Sequence, residues 1–158
     1  MPNSTISWLP ARDLLTPRRL DLVVKWRLFR GILAGTEGDV LPLYRWHIMH
    51  RTGGREPGSP KRSLEDYERT ACELLASMMN RGFDPVFHVK QNRSGDLVAG
   101  AHRVACALAL GVDAAVVVVA KPSPSPWDAP WFQARGCAWI TVRGLEEDLC
   151  RFRSSTAA

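Results

Sequence analysis

Apolar residues recur at helical spacing through the first half of the chain and at strand spacing through much of the second. Leu20, Val23, Val24, Leu28 and Ile32 share one helix face. Thr16 is the expected N-cap, Pro17 the first helical residue and Gly35 the stop. Leu41, Tyr44 and Ile48 mark a second helix from Asp39, as N-cap, to about Arg51, with Pro42 tolerated in its first turn. Ser63 and Asp66 form a capping box ahead of a long third helix that ends at Gly82. Its stripe is Leu64, Tyr67, Ala71, Leu74, Leu75 and Met78.

The period then changes. Val86 to Lys90 reads as a strand, Gln91 to Gly95 as a turn, and the residues up to Ala99 as a second short strand. Gly100 makes a tight turn into an Ala/Leu-rich helix stopped by Gly111. Ala114 to Ala120, with four consecutive valines, reads as a strand buried on both faces. The order strand, strand, helix, strand predicts an α+β fold, a small mixed β-sheet backed by helices with a helical N-terminal half. Lys121 to Pro130 is an extended Ser/Pro linker, Pro130 to Gly136 a short helix, and Gly144 to Arg153 a last amphipathic helix before a disordered tail. Trp127, Trp131 and Trp139 are expected to pack this segment onto the body. The chain therefore reads as one domain, 1–158: an arm over 1–15, a helical part over 16–82, a core over 83–121, and linker and short helices over 122–158.

Composition adds partners and compartment. Apolar content of 46% with 23% charged residues fits a globular protein, and the net charge of +5 suits an anionic ligand. The arginines are scattered without a basic block, which argues against nucleic acid. Cys72, Cys106, Cys137 and Cys150 lack Cys-x-x-Cys spacing and read as reduced thiols of a cytoplasmic protein, with Cys72 and Cys106 buried in helices. His47 and His50 stand i, i+3 without a third ligand nearby, so no protein-bound metal is expected. The N-terminus has no signal-peptide pattern, and no apolar run approaches the roughly 20 residues of a membrane span, so no membrane partner is expected.

Candidate chemistry centres on Gly100, Ala101, His102 and Arg103. Unpaired N–H groups and the positive macrodipole end at this helix start favour an anion, and an imidazole and a guanidinium add to the cradle. The Gly/Pro-rich loop from Gly53 to Arg62 carries Glu56, Lys61 and Arg62, a mixed-charge set able to work on a substrate. Asp21 and Lys25, at i, i+4, read as a surface ion pair worth a few tenths of a kcal/mol unless their face lines a cleft. His88 reads as a packed or surface histidine.

The run from Gly95 to Gly111, followed by Ala114 to Val119, resembles the ParB/sulfiredoxin superfamily, in which strand, G-x-[HR]-R, x-x-A-x-x-x-x-G and strand follow in order. Gly100, His102, Arg103 and Gly111 match that pattern, and Ala107 stands one position after its alanine, where this chain has Cys106. The superfamily includes CTP-binding ParB domains, sulfiredoxins and ParB-like kinases of free serine. The resemblance implies that Gly100, Ala101, His102 and Arg103 hold nucleotide phosphates. A looser likeness, from Asp21 through Tyr44, Glu56, Lys61 and Gly82–Pro85, is to ParB-like proteins of polysaccharide gene clusters. It implies that Lys25, the second helix and the loop from Glu56 to Lys61 form one site facing the cradle, with Lys25, Glu56 and Lys61 as catalytic residues. Lys25 and Lys61 would neutralise transferring charge, and Glu56, or in second place Asp66, would take a hydroxyl proton.

Two departures narrow the resemblance. Sulfiredoxins carry their attacking cysteine just before His-Arg, where this chain has Ala101; Cys106 lies about a turn further on. ParB proteins continue into a DNA-binding region, whereas this sequence ends soon after the core, so DNA partition is not expected. The resemblance so narrowed implies a nucleotide-dependent kinase acting on a hydroxyl of a small polar metabolite or sugar. ATP is the first choice of nucleotide, ADP or CTP the alternatives, and Mg²⁺ enters through the phosphates. The alternative class is a non-catalytic CTP/ATP switch, and last a nuclease or nucleic-acid module.

Overall fold

The computed structural model describes residues 4–155. Four strands form one mixed sheet in the order β1-β4-β2-β3. Strand β1 (Ser7–Pro10) runs antiparallel to β4 (Asp113–Val119), with Trp8 opposite Ala115. Strand β2 (Val89–Asn92) is parallel to β4, with Val89 opposite Val116, and antiparallel to β3 (Leu97–Ala99). The described residues also form six α-helices: α1 (Asp21–Ala34), α2 (Glu37–Thr52), α3 (Leu64–Arg81), α4 (Ala101–Leu110), α5 (Ala129–Ala134) and α6 (Trp139–Ser154). The result is the α+β architecture that the hydrophobic periods imply.

Helix α1 is the spine. It packs between α2 and α4, and Leu22, Val23, Val24, Leu28 and Phe29 are fully enclosed. At Gly31 the backbones of α1 and α2 come so close that an added Cβ would stand 2.6 Å from Val40 Cγ2. A side chain there would press on Val40 and on the Glu37 backbone of α2.

Several boundaries move from the sequence reading. The N-terminal arm contains an edge strand, β1, paired along four residues of β4, followed by a single 3₁₀ turn over Ala11–Leu14. Thr16 does not cap α1: it accepts the Arg19 amide in a turn, and the helix begins only at Asp21. Helix α2 starts at Glu37 rather than after Asp39, although Gly38 stands in its first turn, and α6 starts at Trp139 rather than Gly144, with no Gly or Pro in its first turn. The strand read over Val86 to Lys90 begins at Val89, since Pro85 opens a 3₁₀ turn over Pro85–Phe87. In β4, Ala114 to Val117 are buried but Val118 is 56% exposed, so the two-faced burial stops partway. The linker is hydrogen-bonded at Trp127, whose amide and carbonyl meet Arg18 and Leu20. Trp139 is exposed and does not pack the segment, unlike Trp127 and Trp131. Of the tail expected to be disordered, 156–158 lie outside the described residues, as do 1–3 of the arm. Ser154 still belongs to α6.

Candidate functional site

The strand-to-helix turn is built on one glycine and one valine. Gly100 has φ 101° and ψ 28°, a left-handed conformation that other residues adopt only at a cost. A Cβ on Gly100 would lie 2.5 Å from Val89 Cγ1 and 3.2 Å from Val89 Cα. The turn therefore lies directly on β2, and only glycine fits on both counts. Helix α4 starts immediately after it, with no side chain capping its first turn. The amides ahead of Val104, whose N–H bonds the Gly100 carbonyl, have no intrahelical partner.

A cavity of about 270 Å³ opens over this turn. Its lining joins Gly100, Ala101, His102 and Arg103 to Glu56 and Lys61 of the loop and to Arg51, Tyr67, Thr70, Ala71 and Leu74 of α2 and α3. Three cations and one carboxylate thus share the cavity with the free amides. The loop is closed on itself rather than splayed. The Glu56 amide donates to the Lys61 carbonyl at 3.1 Å, and the Lys61 amide donates to Ser59 Oγ at 3.2 Å. Lys61 Nζ stands 3.5 Å from Glu56 Oε2 and 5.0 Å from the centre of the Tyr67 ring. Ser63 caps α3 as expected, accepting the Asp66 amide at 3.1 Å, and so anchors the loop's far end.

His102 turns its ring toward the interior, where Tyr44 Oη lies 2.9 Å from Nε2. Burial and the nearby Lys25, Lys61 and Arg51 hold the imidazole well below its ordinary range, so it is neutral at physiological pH. Tyr44 is fully buried with no other hydrogen-bond partner among the described residues, so its hydroxyl donates to Nε2 and leaves Nδ1 as the ring's donor. Arg103 reaches from the cavity across the Phe87 ring, its guanidinium carbon 5.3 Å from the ring centre. Arg51 and Arg19 both stand 4.8 Å from the centre of Trp127, which ties the linker to the site.

Asp21 and Lys25 are not a surface pair. Both side chains are fully buried, and Lys25 Nζ donates to Asp21 Oδ2 at 2.8 Å. Arg19 donates to both oxygens of the same carboxylate at 2.8 and 2.9 Å, and to the Leu97 carbonyl of β3 at 2.8 Å. Burial would raise the Asp21 carboxyl, but Lys25 and Arg19 hold it well below the usual range. Burial lowers the Lys25 ammonium to about 8 against the pull of Asp21. The triad locks α1 to the strand that feeds Gly100. Lys25 is therefore absent from the cavity lining, as is Arg62, unlike Glu56, Lys61 and the Gly100–Arg103 turn.

Asp66 is absent from that lining too. Its carboxylate is held low by the Arg62 amide and by Arg69, as part of the start of α3. His47 is buried against Phe132, rings 5.5 Å apart and nearly parallel, with both ring nitrogens unpartnered, whereas His50 is exposed. No group of three or more His, Cys, Asp or Glu able to hold a metal exists among the described residues. Cys106 is buried, its thiol pushed up to about 12 by burial, which makes it a poor nucleophile; Cys72, contrary to expectation, is exposed. No helix among the described residues is long and apolar enough to cross a membrane.

Tyr67 and Thr70 of α3 are the lining residues that sequence reasoning missed, whereas Arg51 and Tyr44 belong to the second helix that the looser likeness assigns to the site. Tyr67 was hidden inside an apolar stripe, where a hydroxyl among aliphatic neighbours was the only signal. Comparison with protein-family models, with curated proteins and with solved structures finds no match, so the chemistry of this cavity is read from its own residues.

Proposed function

We propose that the protein is a nucleotide-dependent phosphotransferase of ParB/sulfiredoxin-like fold that phosphorylates a hydroxyl of a small polar metabolite or sugar. The observation that carries this reading is the sharing of one cavity by Glu56 and Lys61 with the Gly100–Arg103 turn. The uncapped amides of α4 and the Arg103 guanidinium suit the phosphates, and the neutral His102 can donate from Nδ1. Lys61 and Arg51 neutralise the charge of the transferring group. The acceptor oxygen forms a bond to the terminal phosphorus as its proton passes to Glu56. The bond from that phosphorus to the bridging oxygen breaks, and the nucleoside diphosphate leaves with the electron pair. Mg²⁺ would ride on the phosphate oxygens, since Glu56 is the one carboxylate of the cavity lining. Lys25 acts here from beneath, as part of the buried triad, and not on substrate.

A non-catalytic nucleotide switch is the second reading, and one observation favours it. Lys61 and Glu56 stand 3.5 Å apart, so base and cation compensate one another until a phosphate draws Lys61 away. Incubation with ATP, CTP and Mg²⁺ against a panel of amino acids and sugars separates the two. Acceptor-dependent nucleoside diphosphate release supports the kinase. Saturable binding without release, with every acceptor, supports the switch.

A further inference from the structure

The turn that precedes β2 carries an apolar surface that the fold does not use. Asp84 fixes this turn: its carboxylate accepts the Val86 amide at 2.9 Å and its carbonyl accepts the Phe87 amide at 3.0 Å. The Pro85 carbonyl accepts the His88 amide at 3.2 Å. Yet Val86 is 75% exposed and Phe87 55% exposed. A well-ordered turn that holds an aromatic ring in water has the character of a contact surface.

Its position relates it to the cavity. Val89, two residues beyond Phe87, is the floor on which Gly100 rests. Two residues span at most about 7 Å of chain, so Phe87 is tethered close to the phosphate turn. Arg103 joins the two, lining the cavity while its guanidinium covers the Phe87 ring. The cavity, at about 270 Å³, falls below the roughly 300–1,000 Å³ of pockets that enclose a whole small ligand. Phosphates and a small acceptor fill it, and the rest of a nucleotide must lie beyond its rim.

We infer that the base of the bound nucleotide stacks on the solvent-facing side of Phe87, next to Arg103 and outside the cavity. This rests on the phosphate-binding reading of the Gly100–Arg103 turn. Every base offers a π-face, and neither Phe87 nor Val86 has a side-chain polar group to read a base edge. The platform therefore accepts adenine and cytosine alike, and nucleotide choice rests on the phosphates.

Calorimetric titration of ATP, CTP and inorganic tripolyphosphate into the wild type, Phe87→Ala, Phe87→Trp and Arg103→Ala tests this. Phe87→Ala is expected to weaken both nucleotides by roughly tenfold or more while leaving tripolyphosphate unchanged. Phe87→Trp is expected to retain nucleotide affinity, and Arg103→Ala to weaken all three ligands. Unchanged ATP affinity in Phe87→Ala overturns the platform and leaves the phosphate site standing on its tripolyphosphate affinity. Equal losses for ATP and tripolyphosphate in Phe87→Ala overturn it too, by showing a merely structural role. A wild type that binds neither ATP nor tripolyphosphate overturns the phosphate site, and the platform with it.

Discussion

Tyr44 Oη and His102 Nε2 lie 2.9 Å apart, joining the middle of α2 to the first turn of α4. The phenol is fully enclosed, and burial raises its pKa above the ordinary range, so it remains a donor across the accessible pH range. The bond holds the imidazole in one tautomer at the cavity wall. Tyr44→Phe preserves the packing and strands Nε2. A loss of about 1–3 kcal/mol in denaturant unfolding is expected, with weaker tripolyphosphate binding. An unchanged affinity would show that the orientation of His102 does not matter to the anion.

Two histidines, His47 in the core and the half-buried His102 at the cavity wall, set the acid limit of stability. His102 and His47 are both held well below their ordinary range, first by burial and then by Lys25. In each case the unfolded chain takes up the proton more readily, so the folded state loses stability as pH falls below about 6.5. His47 also leaves both ring nitrogens unpartnered. His47→Leu is therefore expected to raise stability by about 1 kcal/mol and to lessen the fall of the unfolding midpoint between pH 7 and 5, leaving the share due to His102. A variant as acid-sensitive as the wild type would move the whole effect to His102 or elsewhere.

Asp21 pairs with two buried cations at once, Arg19 and Lys25. Asp21→Asn leaves both charges uncompensated, and a loss of about 3–5 kcal/mol is expected in denaturant unfolding. Lys25→Met keeps the Arg19–Asp21 bonds and should cost less. If Lys25→Met costs more than Asp21→Asn, the triad is not organised around the carboxylate.

Gly100→Ala meets both a left-handed backbone and Val89. The conformational cost alone is about 1–3 kcal/mol, and the Cβ position 2.5 Å from Val89 Cγ1 adds to it. Thermal unfolding should show a lower midpoint, with anion binding lost even where the protein is folded. A stable variant with intact binding would contradict the cradle geometry.

Much of the fold was legible in the sequence because helix and strand periods are local properties. The capping of α3 by Ser63 and the stops at Gly35 and Gly111 depend on residues a few positions apart. Strand β1 was missed because its pairing with β4 is more than a hundred residues distant and its four residues end in Pro10. The Gly100 turn and the helix start after it were legible for the same local reason as the caps. The loop bearing Glu56 and Lys61 reached the cradle only through its likeness to other proteins, and the structure brings them together independently. The Asp21–Lys25 pair was misjudged because spacing shows that two charges can meet but not whether water surrounds them. Only the packing of α1 between α2 and α4 decides that.

The proposed phosphotransfer has Arg103 hold the nucleotide and Glu56 take the acceptor proton, and one paired measurement tests it. Nucleotide affinity and acceptor-dependent nucleoside diphosphate release would be followed together in the wild type, Glu56→Gln and Arg103→Ala. Phosphotransfer predicts that Glu56→Gln binds nucleotide within a few-fold of wild type yet loses turnover by about a hundredfold or more, while Arg103→Ala loses binding. Full turnover in Glu56→Gln, or a wild type that binds nucleotide and releases no product with any acceptor, would contradict it.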